Sequence, residues 1–318
     1  MSKMKFIQIL SFLILAGVIT SCTQDELADG IPSAQGKQPL VLTASFPAST
    51  RATVNNYWNG GETVYVQVIE DYKGGTPEWP NAEILACTVS PEDNKTIVFP
   101  EGKDIYWDYN DEHKLIRAWW RGDNSSSLES DFSVSLNQSS PSGYPASDFV
   151  LAQAELTFEE DGNRATLSFY HQMAKVILNV KHDNISASDY IAPRLFTYAQ
   201  GRFTPPVDVN TEYGNWNTIG LQDEQILMSL RYSTEEYKGS YEEIVFPQTK
   251  SKGDDVFSLE MGSYLFGIFV YRAPEAFTWK PGHVYTYTVT VKPPGLEVNV
   301  NESIGWNTGT GGSGEVTL

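Results

Sequence analysis

Cysteine is nearly missing: Cys22 and Cys87 are the two in 318 residues, too few for a disulfide framework or a thiolate zinc site. Histidine is scarce too, and none of His113, His171, His182 and His283 falls in an H-E-x-x-H spacing. Lys and Arg number 22 against 40 Asp and Glu, with no basic cluster to grip phosphates, which argues against nucleic acid as a partner. Past the N-terminus no apolar run approaches the roughly 20 residues that a spanning helix needs. Helical stripes of useful length are lacking, as are a G-x-S-x-G elbow and a phosphate-cradling glycine loop. No catalytic residue, metal or cofactor is therefore expected, although forty acids leave carboxylate pairs of the glycosidase kind open. What is present is 41% hydrophobic residues with 19% charged, enough to build a core.

The chain begins as an address label. Lys3 and Lys5 precede the apolar run Phe6 to Val18, and residues 1–21 read as a lipoprotein signal peptide. Ile19-Thr20-Ser21-Cys22 resembles the lipobox of bacterial lipoproteins, which implies cleavage before Cys22 and lipid on its sulfur. Losing residues 1–21 removes two positive charges and takes the formal charge from −18 to −20. Lipid must then supply the membrane affinity, because an acidic surface is repelled by anionic headgroups. Asp25 and Glu26 resemble the acidic export tag of Bacteroidetes surface lipoproteins, and serve equally well as part of a solvated tether over residues 22–38. The expected location is the outer membrane, lipid-anchored and exposed on the cell surface.

Beyond the tether, apolar residues recur at period two. Leu40, Leu42, Ala44 and Phe46 share a face; so do Val64, Val66 and Val68; so do Phe132, Val134 and Leu136. Val176, Leu178 and Val180 alternate with Lys175, Ile177 and Asn179, and Val284 to Val291 alternates likewise, as half-buried strands do. Turn signals such as Asn59-Gly60-Gly61, Lys73-Gly74-Gly75 and Pro281-Gly282 separate the blocks. So many short strands predict an all-β chain of two tandem β-sandwich domains, 39–160 and 161–318. The boundary is set at the polar loop Glu159 to Asn163, although Asp161-Gly162 equally fits a hairpin within one domain.

Few side chains invite chemistry. Cys87 lies in an apolar strand-like run and reads as a buried thiol; His171, in another apolar run, reads as a structural imidazole. Asp108 to Glu112 has the oxygen density of a calcium loop but lacks its glycine and distant glutamate. Arg121-Gly122-Asp123 spells a known recognition tripeptide and is also ordinary turn chemistry. Trp119 and Trp120, adjacent on a strand, must face opposite sides, so one is expected in the core and the other at a surface or contact, where an indole can stack on a sugar.

Several stretches, in order, resemble the fimbrillin family, the type V pilin and accessory proteins of Bacteroidetes. They are Thr50-Arg51-Ala52-Thr53 with Trp58 and Gly61 to Val64; Ser147 to Ala152; Leu167 to Val176; Phe246-Pro247-Gln248; Lys280 to Val291; and Ile304-Gly305-Trp306. The resemblance implies transthyretin-like sandwiches, fimbrial or adhesive surface structures, and other fimbrial subunits as partners through strand exchange. It also implies that a trypsin-like protease removes the first strand, with Arg51 the matching candidate; a plain loop arginine is the competing reading. After Trp306 only twelve residues remain, four of them Gly, a poor donor strand. The expectation is therefore a lipid-anchored tip, anchor or accessory subunit rather than a stalk unit, with a host or bacterial surface ligand. The alternative is a glycan-binding surface lipoprotein, with Trp119 or Trp120 as the ligand contact.

Overall fold

Alternation of apolar and polar side chains with frequent glycine turns leaves the chain little choice but strands, and the computed structural model contains short helices only at Trp79–Asn81, Gly143–Ala146 and Phe158–Asp161 among the described residues. Those residues are 37–47, 57–109, 112–181, 183, 185, 190–262, 267–292, 295–304, 306 and 315–316. The protein is all-β, as expected.

Eight strands form the first sheet, in the order Arg164–Ser168, Val41–Ser45, Thr96–Val98, Leu85–Val89, Thr63–Ile69, His113–Arg121, Phe149–Thr157, Tyr170–His171. Its two edge strands are separated in sequence only by Phe169, so the sheet must curl back on itself. The space it encloses is filled by the inward members of each alternation, among them Leu40, Leu42, Ala44, Val64, Val66, Leu85, Cys87, Val89, Ile116, Ala118 and Trp120. Burial without a charge partner pushes the Cys87 thiol up to about 12, which makes it inert.

The second half stacks two sheets. A six-stranded one runs Ser229–Tyr232, Tyr237–Val245, Ala174–Lys181, His283–Lys292, Gly295–Ile304, Glu315–Val316; a four-stranded one runs Glu224–Leu227, Ile191–Thr197, Asp255–Met261, Gly267–Arg272. Val176, Leu178, Tyr287 and Val289 from the first meet Leu195, Phe257 and Leu259 from the second, as in a sandwich.

A third apolar cluster lies between these two, built from Trp119, Phe132, Phe149 and Leu151 of the first half and Met173, Phe203, Ile244, Phe246, Val284 and Trp306 of the second. Sheet pairing crosses here as well: Asp131–Ser133 pairs with Gln200–Thr204, which pairs with Asn215–Ile219. Pairing within the first sheet continues through His171, past the polar loop at 159–163.

Two local expectations change. The strand at Phe132 ends at Ser133, and Leu136, read as buried, is 52% exposed, because the chain turns there toward the Gly143–Ala146 helix. Ala174–Lys181, read as half-buried, is covered on both faces: it pairs antiparallel with Tyr237–Val245 and parallel with His283–Lys292, and its second face meets the third cluster instead of water. Its polar side chains are accordingly enclosed, with Asn179 accepting a hydrogen bond from Ser240 Oγ at 2.7 Å and Lys175 only 1% exposed.

Candidate functional site

The first strand is the natural starting point, because everything expected of the chain turns on it. Val41–Ser45 is internal to its sheet: it runs parallel to Arg164–Ser168 over five residue pairs and antiparallel to Thr96–Val98 over two. Further backbone bonds extend the hold, Leu40 N to Ile105 O at 2.8 Å, Ala44 N to Lys95 O at 2.8 Å and Phe169 N to Ser45 O at 2.9 Å. Side chains alternate as period two demands. Leu40, Leu42 and Ala44 point into the core, while Thr43 Oγ1 donates to Ala165 O and lies 2.9 Å from Thr166 Oγ1. Phe46 closes the row, its ring 5.1 Å from Trp58, 5.8 Å from Phe169 and 6.1 Å from His171.

Next to this aromatic end sits a group of buried charges. His171 and Asp148 are both fully buried, with Nδ1 and Oδ1 2.9 Å apart, and the His171 ring stacks on Trp306 at 3.7 Å with the planes 11° apart. The Lys175 ammonium lies 4.5 Å from the Trp306 ring centroid. Burial lowers the Lys175 pKa, opposed by the carboxylates of Glu242 and Asp148. Glu242 accepts from Tyr144 OH at 3.0 Å and pairs with Arg231 at 3.4 Å; the Arg231 guanidinium also stacks over the Tyr144 ring at 3.8 Å. Burial, then the Glu242 charge, drives the Tyr144 hydroxyl well above its ordinary value. Glu243, wholly buried with neither oxygen hydrogen-bonded, is raised well above the usual carboxylate range by desolvation, with Arg231 opposing. Gln138 docks its loop by bonding both Ile244 N and Ile244 O, as a strand neighbour would.

The residues singled out in the sequence fare differently. Cys22 and Arg51 lie outside the described residues; Pro47 and Tyr57 flank the segment that holds Arg51. Trp119 and Trp120 do face opposite sides of His113–Arg121, but both are buried, Trp119 in the third cluster and Trp120 in the first core. Trp120 thus takes the core placement and Trp119 the contact placement rather than a surface one, and with both faces of the strand covered neither ring is available to a sugar.

The Arg121-Gly122-Asp123 tripeptide is likewise turned inward. Arg121 is 1% exposed and its guanidinium is spent on Asp123 Oδ1 and Oδ2, Ser127 O and Ser130 Oγ. A Cβ on Gly122 would fall 1.9 Å from Pro145 O, so glycine is needed for close approach. In the candidate calcium loop, Glu112 is committed to the Lys114 ammonium at 2.5 Å and the Asp108 amide at 2.8 Å, while Asn110 and Asp111 lie outside the described residues. His113 and His283 pair with Glu155 and Glu302, and His182 lies outside the described residues. No group of three metal-ligating side chains occurs among the described residues.

Sequence reasoning missed the assembly of Phe46, Trp58, Phe169, Asp148, His171 and Trp306. Every one of them except Phe46 lies in a stretch that carried the family resemblance, yet nothing in their spacing announced that they meet.

Comparison with known proteins follows the same lines. A candidate cell adhesion protein from Bacteroides ovatus is 17% identical, with a TM-score of 0.62 over 87% of this chain and 100% of its own. One from Bacteroides uniformis is 15% identical, with a TM-score of 0.58 over 84% of this chain and 97% of its own. At such identities the likeness is one of fold. Among curated proteins none matches the sequence. The family model described as fimbrillin-like matches residues 50–310, most of the described structure, and the chain therefore belongs to the fimbrillin-like family.

Proposed function

We propose that this protein is a lipid-anchored subunit of a surface fimbria, a tip, anchor or accessory component with an adhesive role, assembled with other fimbrial subunits by β-strand donation. Family membership supports the coarser part, a fimbrial or adhesive, non-enzymatic role at the cell surface. The observation that carries the finer part is the placement of Val41–Ser45: an internal strand near the N-terminus of the mature chain, joined to the rest of the protein through the segment that contains Arg51.

The physical logic is direct. A strand paired on both sides leaves two open edges when it departs, and its Leu40, Leu42 and Ala44 leave an apolar groove. A donated strand satisfies both at once, by backbone pairing and by alternate side-chain insertion. Cleavage after Arg51 separates the first strand and the lipid on Cys22 from the body in one step. The uncut strand resists leaving, since burying each leucine side chain contributes about 1.5 to 3 kcal/mol.

Limited trypsin digestion of the folded mature protein is expected to cut first after Arg51, giving an N-terminus at Ala52, and strand addition is expected only once residues 22–51 are displaced. A first cut elsewhere, or an Arg51→Ala variant that assembles normally, removes proteolytic activation from the proposal. The outer-membrane anchor is tested separately: Cys22→Ala should lose fatty-acid labelling and surface display. Glycan capture loses its motive, since Trp119 and Trp120 are both buried. Sub-millimolar binding of one polysaccharide to the soluble mature fragment would revive it.

A further inference from the structure

We propose that the first strand and the C-terminal end of the chain are coupled through the stacked pair His171 and Trp306, so that departure of Val41–Ser45 loosens the docking of Trp306 and of the strand beyond it. The inference rests on the strand-departure reading above and extends it to the opposite terminus.

Ring contacts run unbroken from one end to the other. Phe46, one residue past the first strand, packs on Trp58, Phe169 and His171; His171 in turn lies flat on Trp306. His171 and Trp306 are both 0% exposed. Asp148 holds the imidazole from one edge, while Nε2 has no hydrogen-bond partner in the protein. Such an arrangement is stable only while it stays dry, because a buried polar nitrogen gains by reaching water whenever a path opens. Phe46, itself only partly buried, forms part of the wall that keeps the path shut.

Among the described residues, the strand beyond Trp306 is held by a short pairing. Glu315–Val316 pairs with Gly295–Ile304 through two residue pairs, Val300 with Val316 and Asn301 with Glu315. So short a pairing is weak alone. Trp306, buried against Met173, Val284, His171 and the Lys175 ammonium, is the anchor that keeps the chain near that edge. When the first strand leaves, Phe46 goes with it, His171 is wetted, and the flat face on which Trp306 rests is no longer fixed. Opening of the groove and loosening of the C-terminal strand become one event, carried by packed side chains in contact.

Hydrogen exchange of the full mature chain, read by mass spectrometry, tests this. Phe46→Ala is expected to speed exchange about tenfold or more in the peptides that contain Trp306 and Glu315–Val316, relative to Leu40→Ala, which truncates the same strand away from His171. Should Phe46→Ala fail to fold, Phe46→Leu keeps an apolar side chain, removes the ring and is expected to give a smaller acceleration of the same peptides. His171→Ala should accelerate those peptides and, because the coupling acts in both directions, exchange in Val41–Ser45 as well, and adding it to Phe46→Ala should bring little further increase. Unchanged C-terminal exchange in the Phe46 and His171 variants overturns the coupling. The underlying reading is judged apart from it: if the fragment cut after Arg51 never dissociates, strand departure fails while the Phe46 variants still decide the coupling. If the fragment leaves and the C-terminal peptides do not respond, the coupling alone fails.

Discussion

Trp120 and Trp119 are neighbours on one strand and enter two different interiors. On the Trp120 side the alternating partners Ile116 and Ala118 join an apolar core drawn from every strand of the curled sheet except Tyr170–His171, with the Lys114–Glu112 pair at the strand's end. On the Trp119 side the alternating partners are Arg117 and Arg121, both nearly inaccessible, and the third cluster is bordered by the buried Lys175 over Trp306 and by Glu242 on Tyr144. Both regions exclude water, by different means. The first does so with hydrocarbon of the right size, which is tolerant of composition. The second does so by giving most of its buried charges a partner, an arrangement that stabilises little over an apolar one but penalises any misplaced member heavily. The first core therefore tolerates changes of composition, while the second holds one geometry.

The sharpest way to break this contrast is to remove one partner on each side. Arg121→Ala orphans the Asp123 carboxylate and the carbonyls of Ser127, Ser130 and Asp131, and is expected to destabilise by about 3 to 5 kcal/mol in urea unfolding. A loss below about 1 kcal/mol would mean that the junction's charges are not structural. Leu42→Ala on the apolar side should cost about 2 to 5 kcal/mol, at the low end if the curled sheet collapses onto the space.

Glu243→Gln probes the opposite sign. The folded-state pKa of Glu243 is raised above its ordinary 4.5, so the folded protein holds a proton that the unfolded chain releases. Its contribution is present below about pH 4.5 and is lost as pH rises through the folded value. The variant should therefore gain Tm over the parent near neutral pH, with the difference shrinking toward pH 4; a loss of Tm at pH 7 would show Glu243 ionised and paired. The smallest effect is expected at Lys250, whose ammonium is pulled down to about 8 by burial against Trp279. Here the unfolded chain binds the proton more tightly, so stability rises from pH 8 to 10.5, and Lys250→Met should flatten that rise in a Tm series.

The apolar side was legible in advance to the extent that period two is a local signal: Leu40, Leu42, Ala44, Val64 and Val66 are buried on the faces their alternation indicates, and Cys87 is buried as its apolar run indicates. The junction was not, since Ala174–Lys181 has the same alternation as a half-buried strand and only its neighbours reveal that the polar face is enclosed too. Leu136 failed for a related reason, as alternation marks which face a residue takes but not where the strand stops.

By itself the sequence determined the all-β class, the period-two faces, the inert thiol and the family resemblance, because each depends on composition or on residues a few positions apart. Tertiary structure alone decided that Val41–Ser45 is an internal strand, that both Trp119 and Trp120 are covered, and that Phe46, His171 and Trp306 touch. Those facts depend on which strands pair across more than a hundred residues, and pairing is chosen by the whole chain's need to bury its faces at once, a requirement no local window contains.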